Sequence, residues 1–209
     1  MAVAFDNVAS TSGVAVTTLT TPAFTVGSAA NRAVELQFAA SADTVGITAS
    51  LGTDPNMTIV AGTNGGATTG TVILSRITAL TGSQTATASW TTSQDVSIGA
   101  ITASGVNQTT TMDGGQNGAV TTLTITSVNG DLTTSDIIST TAQTTNQTQR
   151  WAEAPGINFS KGDTGPGTGT TTHTWTGVTN PGMSGANFVA VAAGKVAPRL
   201  LALLGVGAG

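Results

Sequence analysis

Threonine alternates with small or apolar residues along much of this chain, and this alternation limits the possible folds more than any other feature. One segment reads Thr-Ala-Thr-Ala-Ser-Trp. β-Branched residues favour pleated backbone, and successive side chains of a strand point to opposite faces. Val34, Leu36 and Phe38 should therefore share one face of a strand, and Glu35 and Gln37 the other. The pattern predicts an all-β protein.

Turn signals rich in glycine, asparagine, aspartate and proline separate these short segments, and Gly162-Asp163 is one of the predicted turns. No segment with a helical period of useful length precedes Pro198. Many short strands at this spacing are typical of two-sheet β-proteins. We therefore predict a jelly-roll-like antiparallel β-sandwich, with strands at 14–20, 32–39, 45–49, 57–61, 71–78, 84–91, 96–103, 119–126, 137–142, 149–154, 170–176 and 187–193.

The composition changes at Gly194, where strand and turn patterns give way to an apolar end. The chain length suits one large sandwich or two small domains, and we find no fixed repeat of roughly 20–50 residues. We predict one β-sandwich domain at 1–193 and a short apolar C-terminal arm at 194–209. Two interpretations of the arm are open: a frayed tail, or an inter-subunit contact made by Leu200, Leu201, Leu203 and Leu204.

Charged residues are scarce, with six basic and ten acidic side chains among 209 residues and a formal net charge of −4. The basic residues are scattered singly, so the sequence predicts no nucleic-acid partner. The chain has no cysteine, which excludes disulfides and thiol chemistry. A neutral surface rich in hydroxyl groups favours packing against copies of the same chain, and we expect a homo-oligomer.

The N-terminal segment lacks the basic region and apolar run of a signal peptide, and no stretch of about 20 apolar residues predicts a membrane span. We therefore expect no membrane partner. A surface suited to an exterior setting, without a secretory signal, is typical of phage virion proteins, which are made in the host cytoplasm and released by lysis. Substrates of non-classical secretion would also fit.

Three stretches carry a family resemblance: VAFD at 3–6 with FTVGSAANRAV at 24–34, IGAITASGVNQTT at 98–110, and GANFVAVAA at 185–193. Their layout resembles that of jelly-roll β-sandwich domains in bacteriophage structural proteins and bacterial surface proteins. The resemblance covers residues 1–193 and implies a fold and a virion or surface setting. It implies no catalytic or ligand-binding residue.

The chain offers few residues for catalysis or metal binding. His173 is the only histidine and has no histidine or cysteine partner for zinc, so we interpret it as a surface or sheet residue. Hydrolase, Walker and dinucleotide-binding motifs are absent. Calcium is the other candidate metal. Two predicted loops carry possible ligands, Asn129, Asp131 and Asp136 in one and Asp113 and Asn117 in the other. Turn formation explains these residues better. We predict no catalytic residue, no cofactor and no bound metal.

Two interpretations of Trp90, Trp151 and Trp175 are open. They could form a glycan-stacking platform, but core packing is favoured for at least two of them because large apolar residues are few. The sequence as a whole predicts a non-enzymatic structural protein of a bacteriophage virion, either a capsid decoration (cement) protein or a related accessory shell protein. Its partners would be copies of itself and the major capsid protein or another virion protein. The alternatives are a bacterial surface adhesin or glycan-binding module, and an extracellular filament subunit.

Overall fold

The computed structural model describes residues 1–42, 46–61 and 70–192. Within these ranges the chain consists of antiparallel β-strands and their connections, and the predicted all-β sandwich class is confirmed. No helix in the described ranges is long and apolar enough to cross a membrane. The predicted strand at 170–176 matches the observed one, whereas strands at Met112–Gly118 and Phe159–Pro166 were not predicted.

In its described residues, the N-terminal half of the chain forms eight strands. Glycine and asparagine residues with positive φ lie between several of them, where turns require that conformation. The strands are β1 (Ala4–Thr20), β2 (Phe24–Val26), β3 (Ala33–Ala40), β4 (Thr48–Leu51), β5 (Thr58–Ala61), β6 (Gly70–Ile77), β7 (Gly82–Gln84) and β8 (Ala86–Ser104).

Two layers of strands enclose an apolar core in this half. Five strands in the order β1-β8-β3-β6-β5 form the five-stranded part of a six-stranded sheet, whose sixth strand, β4, pairs with β8; β2 and β7 form a separate two-stranded sheet. The long strands β1 and β8 continue past this five-stranded part, and Thr18–Thr20 of β1 and all of β4 flank the first residues of β8 to form a second layer. Val34, Leu36 and Phe38 point into the core between the layers, as predicted. There the Phe38 ring meets the Trp90 ring edge-on, with centroids 5.1 Å apart.

The C-terminal half contains the remaining eight strands. A second five-stranded sheet has the order β13-β14-β11-β16-β9, and a three-stranded sheet has the order β10-β15-β12. These strands are β9 (Met112–Gly118), β10 (Thr122–Thr126), β11 (Leu132–Ser139), β12 (Thr144–Thr145), β13 (Thr148–Glu153), β14 (Phe159–Pro166), β15 (Thr170–Thr176) and β16 (Gly182–Phe188).

The two halves share one pairing scheme. The order β1-β8-β3-β6-β5 becomes β9-β16-β11-β14-β13 when each strand number is raised by eight. In the three-stranded sheet, β15 pairs with β10 and with β12 in the same way as the start of β8 pairs with the end of β1 and with β4. The described chain therefore contains two jelly-roll-like units in tandem, and this doubling does not appear as a short repeat in the sequence.

The two five-stranded sheets pack face to face. β3 lies on β11, β6 on β16, β1 on β13 and β5 on β9. Ala33 clusters with Leu132, and Ala39 with Ile138, so β3 and β11 run in the same direction. An approximate twofold axis along these central strands therefore relates the two halves. We call the layer between the two sheets the central interface.

Candidate functional site

A group of polar side chains lies inside the sandwich of the C-terminal half, where an apolar core is usual. The buried His173 of β15 has its Nδ1 2.7 Å from Oδ1 of Asp163 on β14. Its Nε2 lies 2.9 Å from Thr133 Oγ1 on β11. The three side chains meet because each points from its strand into the same sandwich. We call the group the buried histidine network; it comprises Thr133, Ser135, Thr145, Asp163, His173 and Trp175.

The Asp163 carboxylate is the hub of this network. Its Oδ1 also accepts a hydrogen bond from Ser135 Oγ at 2.7 Å, and its Oδ2 accepts one from the Thr145 hydroxyl. Ser135 Oγ in turn accepts from Trp175 Nε1 at 3.1 Å. Hydrogen bonds to the charged form stabilise a buried carboxylate, so the cost of its burial is offset locally.

Hydrogen bonds on both ring nitrogens fix the orientation of the histidine. Nδ1 donates to the Asp163 carboxylate, and Nε2 lies within hydrogen-bond distance of Thr133 Oγ1, which is also 2.9 Å from the carbonyl oxygen of Gly165. The imidazole is therefore held between a carboxylate on β14 and a hydroxyl on β11.

The equivalent positions of the N-terminal half are apolar or aromatic. Asp163 pairs with Ser135 as Leu74 pairs with Leu36. Trp90 precedes Trp175 by the same number of residues as Ala88 precedes His173. Trp90 packs in the core of its half as Trp175 does. Equivalent positions of the fold thus form a hydrophobic core in one half and a polar network in the other. The equivalent pairs are Leu36 and Ser135, Leu74 and Asp163, Ala88 and His173, and Trp90 and Trp175.

A hydroxyl, an imidazole and a carboxylate in series have the composition of a catalytic triad. Here, however, all three members, Thr133, His173 and Asp163, have no exposed surface. A triad needs access for its substrate, and the side chains around this network close it off. The geometry is that of a structural hydrogen-bond network.

His173 lies within β15, inside the predicted strand 170–176, but it is interior and not at the surface. The predicted turn at Gly162-Asp163 is wrong, because both residues lie within β14. The alternation in β15 was a signal for burial, because His173 occupies the same phase as Trp175.

Two further carboxyl groups lie in the central interface. Glu35 of β3 and Asp136 of β11 are fully buried on the two central strands, and none of their carboxyl oxygens has a hydrogen-bond partner of standard geometry. Burial raises the pKa of Glu35 to about 8, and the side chains of Thr134 and Gln37 near it offset that rise only in part. Burial, and then the charge of Glu35, raise the pKa of Asp136 well above its usual range, although backbone groups of Ser184 and of Asp136 itself act in the opposite direction.

The loop assignment of the candidate calcium ligands was wrong for three of them. Asp136 lies in the middle of β11, and Asp113 and Asn117 lie within β9. Asp131 does form a turn: its carboxylate accepts hydrogen bonds from the backbone amides of Val128 at 2.8 Å and of Ala190 at 2.7 Å. Among the described residues, no three histidine, aspartate or glutamate side chains converge in a way that could hold a metal ion.

All three tryptophans are interior. Trp90, Trp151 and Trp175 are 5%, 4% and 1% exposed. Trp151 lies in the central interface, where Nε1 donates to Gln37 Oε1. A glycan-stacking platform needs exposed ring faces, and these positions offer none; core packing is the role that the structure gives them.

The outer layers carry rows of hydroxyl groups, which we call the hydroxyl faces. Threonine and serine side chains of neighbouring strands, exposed or half-buried, pair side by side in both halves, and their hydroxyls lie within hydrogen-bond distance of one another. The pairs are Thr18–Ser89 at 3.1 Å, Thr20–Thr87 at 2.9 Å, Thr122–Thr174 at 3.3 Å, Thr124–Thr172 at 3.5 Å and Thr144–Thr176 at 2.8 Å. These faces contain no charged group among the paired residues.

An open groove runs along β5 and β6 beside residues 109–112. Its walls are threonine, asparagine and aliphatic side chains, and the charged residue in its lining, Arg76, forms an ion pair with Asp54 at 3.4 Å. This lining contains no nucleophile–base pair.

The predicted interface leucines Leu200, Leu201, Leu203 and Leu204 lie outside the described residues, as does the rest of the arm from Gly194. A scan against protein-family models and a search of curated proteins both find no match to this chain.

Proposed function

We propose that this protein is a non-enzymatic structural component of a bacteriophage virion, acting as a capsid decoration protein or a related accessory shell protein. The observation that carries the proposal is the separation of polar groups in the structure. The ionic groups of the C-terminal core are sealed, while the two hydroxyl faces present uncharged, hydrogen-bonded rows to the outside.

Such faces suit a protein that packs on a symmetric shell. Short threonine and serine side chains lose little conformational entropy when they are covered, and paired hydroxyls bring no desolvated charge to a contact. The tandem sandwich supplies two of them on one rigid core. We further propose that the protein assembles as a homo-oligomer, a trimer or a ring, and binds the major capsid protein or another virion protein.

Mass spectrometry of purified particles tests this proposal. We expect the chain in virions at a copy number that matches a class of lattice positions, and we expect purified protein to rebind particles from which it has been stripped. Absence from particles, with abundance on uninfected cells, would reject the virion role.

The glycan-binding alternative loses its main support, because it depended on exposed tryptophan rings and all three rings are buried. A glycan array with the purified protein provides the check. Specific binding there would favour a surface adhesin over a shell protein.

A further inference from the structure

The central interface holds two acidic side chains with no basic partner. Glu35 and Asp136 project from β3 and β11, the strands that lie on each other along the approximate twofold axis. Alternation fixes their direction: Leu36 and Ile137, the next residues in each strand, point into the separate cores of the two halves. Both carboxyls therefore point into the layer that joins the halves.

The surroundings of the two carboxyls offer no counter-charge. The ion pairs of the described chain are Arg76–Asp54 and His173–Asp163, and neither includes Glu35 or Asp136. Asp163 adds a repulsive charge to both, and the nearby titratable His173 of β15 is engaged with Asp163 at 2.7 Å. The strands packed around the pair carry the following other ionisable side chains: Asp6 of β1, Arg76 of β6, Asp95 of β8, Asp113 of β9, Arg150 and Glu153 of β13, and Lys161 of β14.

Several of these groups are engaged elsewhere. Arg150 lies over the Phe5 ring at 3.8 Å and donates to Thr164, and Lys161 donates to the carbonyl oxygen of Gln143 at 2.6 Å. Glu153 accepts from Ser10 at 2.7 Å. A charge on Glu35 or Asp136 would therefore be buried and unpaired, which is among the most costly arrangements in a protein.

We propose that Glu35 and Asp136 form a pH-sensitive lock between the two halves. While both carboxyls keep their protons the two five-stranded sheets stay packed, and loss of a proton at alkaline pH loosens the central interface. The raised pKa of Glu35, about 8, agrees with this geometry. The two sandwich cores lie outside the lock, so loosening should be confined to the facing strands.

The test compares the wild type with the double variant Glu35→Gln/Asp136→Asn, which removes both titrations and keeps the side-chain shapes. Glu153→Gln is the control, since it neutralises a carboxyl on β13 at the rim of the same interface. Thermal midpoints and hydrogen exchange of β3 and β11 are measured from about pH 5 to about pH 9. We expect the thermal midpoint of the wild type and of the control to fall as pH rises, and the protection of β3 and β11 against hydrogen exchange to fall with it. Both quantities should change little in the double variant. Equal pH profiles for all three proteins would overturn the proposal.

A second measurement needs no variant. Infrared spectroscopy of wild-type protein carrying isotope-labelled glutamate and aspartate should show a protonated carboxyl band at neutral pH that disappears on alkaline titration. Absence of that band at neutral pH would contradict the lock. The thermal midpoint is also measured with a chelator. If the chelator lowers the midpoint of the wild type but not that of the double variant, the carboxylates hold a cation and the proposal is overturned.

Discussion

Leu74 and Asp163 occupy equivalent positions in the two halves of this protein, one in an apolar core and the other as the hub of a buried ion pair. The same backbone arrangement can therefore enclose either an apolar core or a polar network. The apolar core needs only side chains of complementary volume. The polar network needs every member of the hydrogen-bonded group at once, because an isolated buried charge is strongly destabilising.

Removing one member of the ion pair should cost more than removing both. We expect Asp163→Leu alone to lower the free energy of unfolding by about 3–5 kcal/mol, since it leaves His173 Nδ1 and the buried hydroxyls of Ser135 and Thr145 without their acceptor. The double variant Asp163→Leu/His173→Ala reproduces the residues found at Leu74 and Ala88 and should recover part of that loss. Denaturant unfolding of Asp163→Leu, of His173→Ala and of the double variant gives the coupling energy. Additive losses would show that the pair does not act as a unit.

The stability contribution of Glu35 should depend on pH with a definite sign. Its pKa is raised from 4.5 to about 8, so between these values the folded state keeps a proton that the unfolded state has lost. The free energy of unfolding therefore falls as pH rises across this window and levels off above it, by about 5 kcal/mol in total. Glu35→Gln should remove this slope in denaturant titrations at a series of pH values. A slope that persists in full would assign the titration to another group.

Two glycines make room for Trp151. A Cβ atom at Gly99 or at Gly162 would collide with the indole ring, and neither glycine has a positive φ, so the constraint is one of space. We expect Gly99→Ala and Gly162→Ala each to lower the free energy of unfolding by about 1–3 kcal/mol through overpacking. Gly118→Ala is the matched control, because a Cβ there would meet only ordinary contacts beyond 3.4 Å. Equal effects at all three sites would contradict the packing explanation.

The tryptophans should report an interior environment. We expect blue-shifted emission from the folded protein and weak quenching by acrylamide, because Trp90, Trp151 and Trp175 are nearly inaccessible. Alanine substitution of any one should lower the thermal midpoint, with a loss of about 3–5 kcal/mol for a buried tryptophan. Strong quenching of the native protein would show that at least one ring is exposed and would reopen the glycan-binding interpretation.

The arm from residue 195 to residue 209 is expected to act in assembly. A truncated chain ending at Gly194 should keep the thermal midpoint and the circular dichroism of the full chain but bind particles or its own copies more weakly, because four leucines are lost from the contact. Sedimentation velocity and particle rebinding measure this. Unfolding of the truncated chain would instead assign the leucines to its own core.

The sequence by itself determined the local structure. Alternation predicted the strand at 170–176 and the face that Val34, Leu36 and Phe38 share, because side-chain direction in a strand follows from chain geometry alone. The same alternation separated Glu35 and Gln37 from that core. It could not show that their face would also be buried, since this depends on a second sheet that comes from residues about a hundred positions away.

The tertiary structure alone decided which residues meet. The pairing of β3 with β6 and β8, and its repetition by β11, β14 and β16, brings His173 to Asp163 and places Glu35 and Asp136 on facing strands. Asp163 and Asp136 read as turn or loop residues in the sequence because aspartate is common there. Their burial is set by long-range strand pairing and sheet stacking, whose energies come from contacts between distant segments and leave no periodic signal in the chain.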